Sequence, residues 1–267
     1  MGKIEIGTAG WDYKDWVGPF YPRQLERSQQ LEYFAKYFDI VEINSTFYNL
    51  PSLDMVQNWK LRVPADFRFI IKVWQKITHN LEDPELDTYI IKFFSIMDYL
   101  NEKIEAFLLQ FPPWFIYTED HFMKLKSLLN ELPSKYKYIV ELRDNSWFNP
   151  TILSKFIDGR RVILGTTYKP GIIPYYLDNQ KFYYIRLIGD RELTVFNRIQ
   201  REQKSSLLDL NKQIEQLVRL PNVYEIFIIV NNHFAGFAPE SVNELKKQWG
   251  LSYHQFNTQK SLIDFLK

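Results

Sequence analysis

The sequence predicts an α/β protein whose fold is a (β/α)8 TIM-type barrel. Short apolar strands alternate with amphipathic helices along the chain, which indicates a parallel sheet. Eight such strands occur within 267 residues, which matches the strand count and the approximate size of that barrel. The turn after the first strand, Gly7 to Gly10, lacks the G-x-G-x-x-G pattern that the rival fold, a doubly wound open sheet, favours. We therefore expect a single barrel domain over residues 1–267.

The eight predicted strands are short apolar runs, several of which end in a polar residue. They cover residues 3–8, 40–44, 67–74, 104–110, 139–143, 162–167, 181–188 and 224–230.

Apolar residues at helical spacing predict helices over residues 31–38, 86–100, 122–132, 153–157, 207–218 and 239–249. Ser52 is a predicted cap for one more helix, through Trp59. Asp83-Pro84 predicts a helix start with proline at the first helical position, and Asn149-Pro150 opens a short helix.

The connection between strands six and seven differs from the others. Residues 168–180 are few and contain Pro170, Gly171 and Pro174, which interrupt helical hydrogen bonding. We therefore expect the crossover helix between these two strands to be missing or irregular.

Composition limits the classes of function. The formal net charge of +1 gives no global field that would recruit nucleic acid or an anionic membrane. The absence of cysteine removes disulfides, thiolate nucleophiles and thiolate metal sites. The longest apolar runs are too short to span a membrane, and the N-terminus has no apolar run typical of a signal peptide. We expect a cytoplasmic protein that does not associate with membranes.

Polar and aromatic side chains collect where the predicted strands end, which is where barrel enzymes place their chemistry. Nearly every strand supplies a polar group at a position where packing alone favours Val, Ile or Leu. The side-chain period of two puts Glu42 and Asn44 on one face of their strand, for example. This convergence predicts a ligand-binding or catalytic site at one end of the barrel. Its candidate residues are Tyr13, Glu42, Asn44, Tyr48, Lys72, His79, Gln110, Glu141, Arg143, Trp147, Arg186, Asn231 and Asn232.

Each candidate also has a plainer interpretation. Glu42 and Glu141 could pair with arginine or lysine in a buried network that only fills the end of the barrel. A loop histidine such as His79 is more often a surface or capping residue, and Trp147 is more often a packing residue. Four scattered histidines and no cysteine disfavour a multi-zinc site, so no cofactor is predicted. One divalent cation on Glu42 and Glu141 is the open alternative.

A series of short motifs gives the chain a family resemblance. The motifs are Ile6-Gly7-Thr8-Ala9-Gly10-Trp11, Phe20-Tyr21-Pro22, Val41-Glu42-Ile43-Asn44-Ser45-Thr46-Phe47-Tyr48, Leu50-Pro51-Ser52, Ile77-Thr78-His79, Leu109-Gln110-Phe111-Pro112-Pro113, Glu141-Leu142-Arg143, Ser146-Trp147-Phe148, Tyr184-Ile185-Arg186 and Asn231-Asn232. With them, the chain resembles the YecE-like domain of unknown function 72 over nearly its whole length. The resemblance implies a barrel related to the (β/α)8 fold and supplies no activity. The family pattern usually has a His two residues after Arg186, where this chain has Ile188.

The favoured function is an enzyme using general acid–base chemistry, of hydrolase or isomerase type, on a small polar or anionic substrate. Such a substrate would be phosphorylated or sugar-like. Glu42 and Glu141 would be the acid/base pair, with Lys72 or His79 as a second proton carrier. The other candidates would bind the substrate: Arg143 and Arg186 would hold its anionic group, and Asn44, Gln110 and Asn231 would orient its hydroxyls or carbonyls.

The alternative function is a nucleic-acid-binding or phosphodiester-processing protein. Surface Arg and Lys would follow the backbone of the nucleic acid while exposed aromatic side chains stack on its bases. The near-neutral charge and the scarcity of metal ligands disfavour this alternative. Binding to generic DNA or RNA that weakens steeply with salt would distinguish it from the first function.

Overall fold

The fold is a closed barrel of eight parallel strands that pair in chain order, as predicted. The structure is a computed structural model and describes residues 2–256. Each strand pairs with its neighbour in sequence, and the first pairs with the last. The strands are β1 (Lys3–Ala9), β2 (Ile40–Ile43), β3 (Arg68–Lys72), β4 (Ile104–Gln110), β5 (Tyr138–Glu141), β6 (Val162–Tyr168), β7 (Phe182–Leu187) and β8 (Glu225–Val230).

Helices surround the barrel, and their first turns carry the predicted caps. The hydroxyl of Ser52 accepts a hydrogen bond from the Met55 amide at 3.2 Å, and the Asn149 side chain accepts one from the Thr151 amide at 2.9 Å. The helices are α1 (Gln30–Phe34), α2 (Ser45–Tyr48), α3 (Leu53–Leu61), α4 (Gln75–Thr78), α5 (Leu86–Met97), α6 (Glu119–Glu131), α7 (Pro150–Leu153), α8 (Lys204–Leu217), α9 (Asn232–Ala235) and α10 (Ala238–Gln248). Within residues 2–256, no helix is long and apolar enough to cross a membrane.

Several helix boundaries differ from the prediction, among them the end of α1, which lies at Phe34 and not at residue 38. Helix α5 begins at Leu86, two residues beyond Pro84, because the Asp83 carboxylate accepts the Glu85 amide at 2.9 Å and forms a turn there instead. Helix α7 ends at Leu153 and does not continue over residues 154–157.

The connection between β6 and β7 contains no helix, which confirms the predicted defect. An isolated bridge between Lys169 and Ile172 closes a tight turn instead. The segment is then fixed by Gln180, whose buried side-chain carbonyl accepts the Leu164 amide at 2.5 Å. The Thr166 hydroxyl also donates to the Tyr175 carbonyl at 2.7 Å, so several hydrogen bonds hold this segment in place of a crossover helix.

Residues that face the barrel interior form layers. Between the two ends the interior is filled by a largely apolar cluster of Ala9, Ile40, Ile70, Ala106, Leu108, Ile139, Ile163, Tyr184, Phe227 and Ile229. The opposite face of each strand packs against the helices in a larger apolar core. Charged side chains lie at both ends of the interior, so two ionic clusters are separated by an apolar layer.

The two clusters are named here by their position. The mouth cluster lies at the carboxyl ends of the strands and comprises Glu42, Lys72, Glu141, Arg143 and Arg186. The base cluster lies at the amino ends and comprises Lys3, Glu5, Arg68, Glu105, Lys137 and Glu225.

Candidate functional site at the barrel mouth

The strand register brings the predicted polar residues to one end of the barrel. Lys72, Gln110 and Glu141 are the last residues of β3, β4 and β5, and Gln110 pairs in register with Glu141. Glu42 lies near the end of β2, and Arg186 lies near the end of β7. Because paired residues on parallel strands point to the same side, these side chains converge on the barrel axis.

Arg186 is the centre of the mouth cluster. Its Nε and Nη2 donate to the two carboxylate oxygens of Glu42 at 2.8 and 2.5 Å, a bidentate contact. Its Nη1 donates to Glu141 Oε2 at 2.8 Å, and its Nη2 also contacts Asn44 Oδ1 at 3.3 Å. Burial lowers the pKa of a guanidinium, but the charges of Glu141 and Glu42 more than offset this and keep Arg186 charged. One guanidinium therefore joins β2, β5 and β7 through their side chains.

Tyr184 is a member of this network that the sequence analysis missed. Its hydroxyl donates to Glu42 Oε2, the same oxygen that accepts Arg186 Nε. Tyr184 and Arg186 are two residues apart on β7, so they share a face, and this spacing was the available signal. In a strand rich in aromatic residues, however, a tyrosine is indistinguishable from a packing residue.

Glu141 is held between two arginines. Its Oε1 accepts the Nε of Arg143 at 2.8 Å, and its Oε2 accepts Arg186. Burial raises the pKa of this carboxyl, but the charges of Arg186, Arg143 and Lys72 lower it to about 2. Glu141 is therefore ionised throughout the neutral pH range.

Lys72 differs from its neighbours because it forms no salt bridge within the described part of the chain. Its ammonium lies over the Phe47 ring, 3.6 Å from the ring centroid, and the residue is 5% exposed. Burial and the nearby charge of Arg186 lower the pKa of Lys72 to about 7. The backbone at this position is fixed, because the hydroxyl of Thr46 donates to the Lys72 carbonyl at 2.6 Å.

His79 lies beside Lys72 at the rim. Its ring packs edge-on against Phe47 with the centroids 5.2 Å apart, and its Nδ1 lies 2.9 Å from the hydroxyl of Thr78. Burial and the charge of Lys72 lower the pKa of His79 to about 4, so its imidazole is neutral near pH 7. Tyr48, on the adjoining helix α2, is 58% exposed.

Four of the predicted binding residues have structural partners. Trp147 is fully buried and donates through Nε1 to the Phe115 carbonyl at 2.6 Å. The amide of Gln110 donates to a backbone carbonyl of the next residue at 2.8 Å. Asn231 caps α9, and the buried Asn232 accepts the Trp16 indole at 3.1 Å. These side chains shape the loops around the mouth cluster.

A buried hydroxyl at the mouth has no partner. Thr167, on β6, pairs in register with Arg186 and so points to the same side, and it is 3% exposed. Its hydroxyl forms no hydrogen bond with any residue that the structure describes. Native structures leave few buried polar groups unpaired, so a water or a bound molecule suits this position.

The position where the family pattern has His is an ordinary buried residue here. Ile188 is 4% exposed, and its amide donates to the Tyr168 carbonyl at 3.0 Å. The side chain of Ile188 has no titratable group, so proton transfer at the mouth depends on other residues.

Among residues 2–256, no cluster of three or more His, Asp or Glu side chains is arranged to hold a metal ion.

A groove adjoins the mouth cluster on the side of β1 and β2. Its volume is about 860 Å³. Two predicted site residues, Asn44 and Tyr13, line this groove and also lie close to the mouth cluster. Asn44 contacts Arg186, and the Tyr13 hydroxyl is held by the Ala9 carbonyl, to which it donates at 2.5 Å. Burial and the charge of Glu42 raise the pKa of Tyr13, which keeps its hydroxyl protonated. The groove is lined by Gly10, Trp11, Asp12, Tyr13, Arg27, Ser28, Leu31, Asn44, Ser45, Met55, Asn58, Trp59 and Arg62.

Comparison with known proteins places these features in a family. The family model described as "Protein of unknown function DUF72" matches residues 5–263. The UPF0759 protein YunF of Bacillus subtilis (strain 168) is 23% identical over 94% of this chain and 96% of its own. YecE of Escherichia coli (strain K12) is 32% identical over 54% of this chain and 50% of its own. A crystal structure of a DUF72 family protein from Thermotoga maritima MSB8 superposes with a TM-score of 0.77 at 25% identity, covering 93% of this chain and 99% of that one.

Proposed function

The chain belongs to the DUF72 family, and from its barrel mouth we propose an enzyme that binds a small anionic molecule and moves a proton with Lys72. The observation that carries the proposal is a charge imbalance. The mouth cluster has three cationic side chains, Lys72, Arg143 and Arg186, for two carboxylates. A buried cation without a partner is costly, which agrees with the lowered pKa of Lys72, and a bound anion would supply the missing negative charge.

The anion has suitable groups to contact. Lys72 offers an ammonium without a carboxylate partner, and Thr167 offers an unpaired hydroxyl. Arg143 bonds to Glu141 only through Nε, and within the described residues its two terminal nitrogens form no hydrogen bond. These donors match the oxygens of a phosphate or a carboxylate. The proposal requires no metal ion on Glu42 and Glu141, because the guanidinium of Arg186 contacts both.

The pKa values favour a different division of roles from the one predicted. A carboxyl with a pKa of about 2 stays ionised and is a poor general acid at neutral pH, so Glu141 is better suited to holding Arg143 and Arg186. Lys72, with a pKa of about 7, can both donate and accept a proton near neutrality. His79 remains neutral there and can hydrogen-bond to a ligand at the rim.

Titration calorimetry with inorganic phosphate and with acetate tests the anion site. We expect Lys72→Met to weaken binding of at least one of these anions tenfold or more, while Lys137→Met, in the base cluster, leaves it unchanged. Wild-type affinity should fall as the pH rises through about 7, because Lys72 then loses its charge. Equal affinities for the wild type and Lys72→Met would contradict the proposal.

Solvent exchange tests the proton transfer. An enzyme of this type, incubated in D2O with a panel of small carboxylates and phosphate esters, should place deuterium on carbon in its substrate, and NMR detects this. Lys72→Met should abolish the exchange, whereas His79→Gln should reduce it less than tenfold. Exchange that survives in Lys72→Met would remove Lys72 from the proton-transfer role.

A further inference from the structure

We propose that the groove beside the mouth cluster binds a ring, so that the ligand is a ring-bearing phosphate ester: a phosphorylated sugar or a nucleotide. This inference rests on the proposed function, because it places the phosphate of the ligand at Lys72. The groove and the mouth cluster would be two halves of one binding site.

The first argument is continuity. Asn44 lines the groove and contacts Arg186 at 3.3 Å, and Tyr13 lines the groove within the electrostatic influence of Glu42. A molecule bound at the mouth therefore borders the groove directly. Ligand pockets usually measure roughly 300–1,000 Å³. At about 860 Å³ the groove is far larger than a phosphate or carboxylate needs.

The second argument is the aromatic wall. Trp11 is half-buried, lines the groove, and packs its ring edge-to-face against the buried Trp59 with the centroids 5.8 Å apart. This contact fixes the orientation of the Trp11 ring without any ligand. Met55, 47% exposed, adds a polarisable side chain to the same lining. A rigid indole beside a mobile thioether suits the face of a sugar or a nucleobase.

The third argument is the hydrogen-bonding capacity of the groove. Arg62 lines it and forms no ion pair among the residues that the structure describes. Arg27 is instead paired with Asp12, through Nε to Oδ1 at 2.9 Å. Ser45 contributes a hydroxyl. A ring that carries hydroxyl or carbonyl acceptors matches this lining better than a purely apolar ring does.

Titration calorimetry with three probes tests the inference: inorganic phosphate, ribose 5-phosphate and AMP. At least one ring-bearing probe should bind the wild type tenfold or more tightly than phosphate does. Trp11→Ala and Arg62→Ala should each reduce that advantage at least fivefold and leave phosphate binding unchanged. The matched controls are Trp114→Ala and Arg160→Ala, exposed residues outside the groove, which should behave as the wild type.

The outcomes separate this inference from the proposed function. Equal binding of all three probes, or loss in Trp11→Ala no larger than in Trp114→Ala, overturns the ring subsite. If Lys72→Met still weakens phosphate binding in that case, the anion site stands. Preference for ribose 5-phosphate over AMP identifies a sugar phosphate, and the reverse identifies a nucleotide. Arg62→Ala, at a partly exposed position, keeps the test valid if Trp11→Ala fails to fold.

Discussion

The two ionic clusters at opposite ends of the barrel are built alike but differ in charge balance. In each, one arginine contacts carboxylates from different strands: Arg186 at the mouth and Arg68 at the base. The base cluster has three carboxylates and three cations, and each cation has a carboxylate partner. The mouth cluster has two carboxylates and three cations, and Lys72 has no such partner among the described residues.

The clusters also differ in their access to water. At the mouth, both glutamate side chains are 0% exposed. Arg186 is 5% exposed there, whereas at the base Arg68 is 19% and Glu225 is 21% exposed, so water can replace a lost partner more readily at the base. A balanced, partly hydrated network needs no ligand to explain it. An unbalanced and buried network favours a bound ligand, and this difference in charge and burial supports our proposal that the ligand binds at the mouth.

Arg186→Met should have the largest effect. It leaves Glu42 and Glu141 buried without their shared partner, and we expect it to cost about 3–5 kcal/mol of unfolding free energy. The corresponding change at the base, Arg68→Met, should cost about 1–2 kcal/mol, because Lys3 and Lys137 remain and water reaches the site. Urea unfolding of both variants measures the difference. Equal losses would remove the distinction between the two ends.

Glu141→Gln should cost about 3 kcal/mol near pH 7, in a way that depends on pH. The pKa of Glu141 is about 2 in the folded protein and 4.5 ordinarily, so its stabilisation is present above pH 4.5 and is lost as the pH falls toward 2. The variant and the wild type should therefore converge in acid. Unfolding at pH 3 and pH 7 checks this, with Glu105→Gln at the base as the control that shows a smaller loss. A constant difference between these pH values would argue against an ionised Glu141.

Lys72→Met should change stability in the opposite direction, and its change between pH 7 and pH 9 is smaller than the loss in Glu141→Gln. The folded pKa of about 7 lies below the ordinary 10.5, so the charged lysine destabilises the fold below pH 10.5, most strongly at low pH. The wild type should gain about 2 kcal/mol relative to Lys72→Met between pH 7 and pH 9. Parallel stability–pH curves for the two proteins would show that Lys72 has an ordinary pKa.

The smallest expected difference in stability is between two threonine substitutions near the mouth, Thr167→Val and Thr46→Val. Thr167→Val removes an unpartnered buried hydroxyl and should be neutral or stabilising by up to about 1 kcal/mol, while weakening anion binding. Thr46→Val removes a hydroxyl that donates to the carbonyls of Ile43 and Lys72, and should cost about 1 kcal/mol. Thermal unfolding and phosphate titration compare them. A clear loss of stability in Thr167→Val would mean that its hydroxyl is satisfied in the protein.

The fold was largely predictable from local signals. Strand alternation and helix capping are set by residues that lie close together in the sequence. The capping roles of Ser52 and Asn149 were therefore predictable from the sequence alone. The missing helix between β6 and β7 followed from two prolines and a glycine. Boundaries were less predictable, as at Pro84, because a side-chain turn competed with the helix.

The convergence of Glu42, Glu141 and Arg186 at one end of the barrel was predictable from the sequence, whereas the contacts among them were not. The same reasoning that identified Glu42, Glu141 and Arg186 could not show that one guanidinium contacts both carboxylates, because these residues are far apart in sequence. Tyr184 and Thr167 resembled packing residues. The base cluster was not predicted, because charged residues near the start of a strand, such as Glu5 and Arg68, are also typical of a solvent-exposed strand end.

The helix-free connection between β6 and β7 has a consequence for the order of folding. Gly165 and Tyr184 pair across a short loop, whereas Lys3 and Glu225 pair only when nearly the whole chain has been gathered. Because the entropy of closing a loop grows with its length, we expect β6 and β7 to associate early and the seam between β1 and β8 to close late. Pulse-labelling hydrogen exchange during refolding should protect the β6–β7 amides first, and earlier protection at the β1–β8 seam would contradict this order. The irregular crossover would then be a kinetic starting point for closing the barrel.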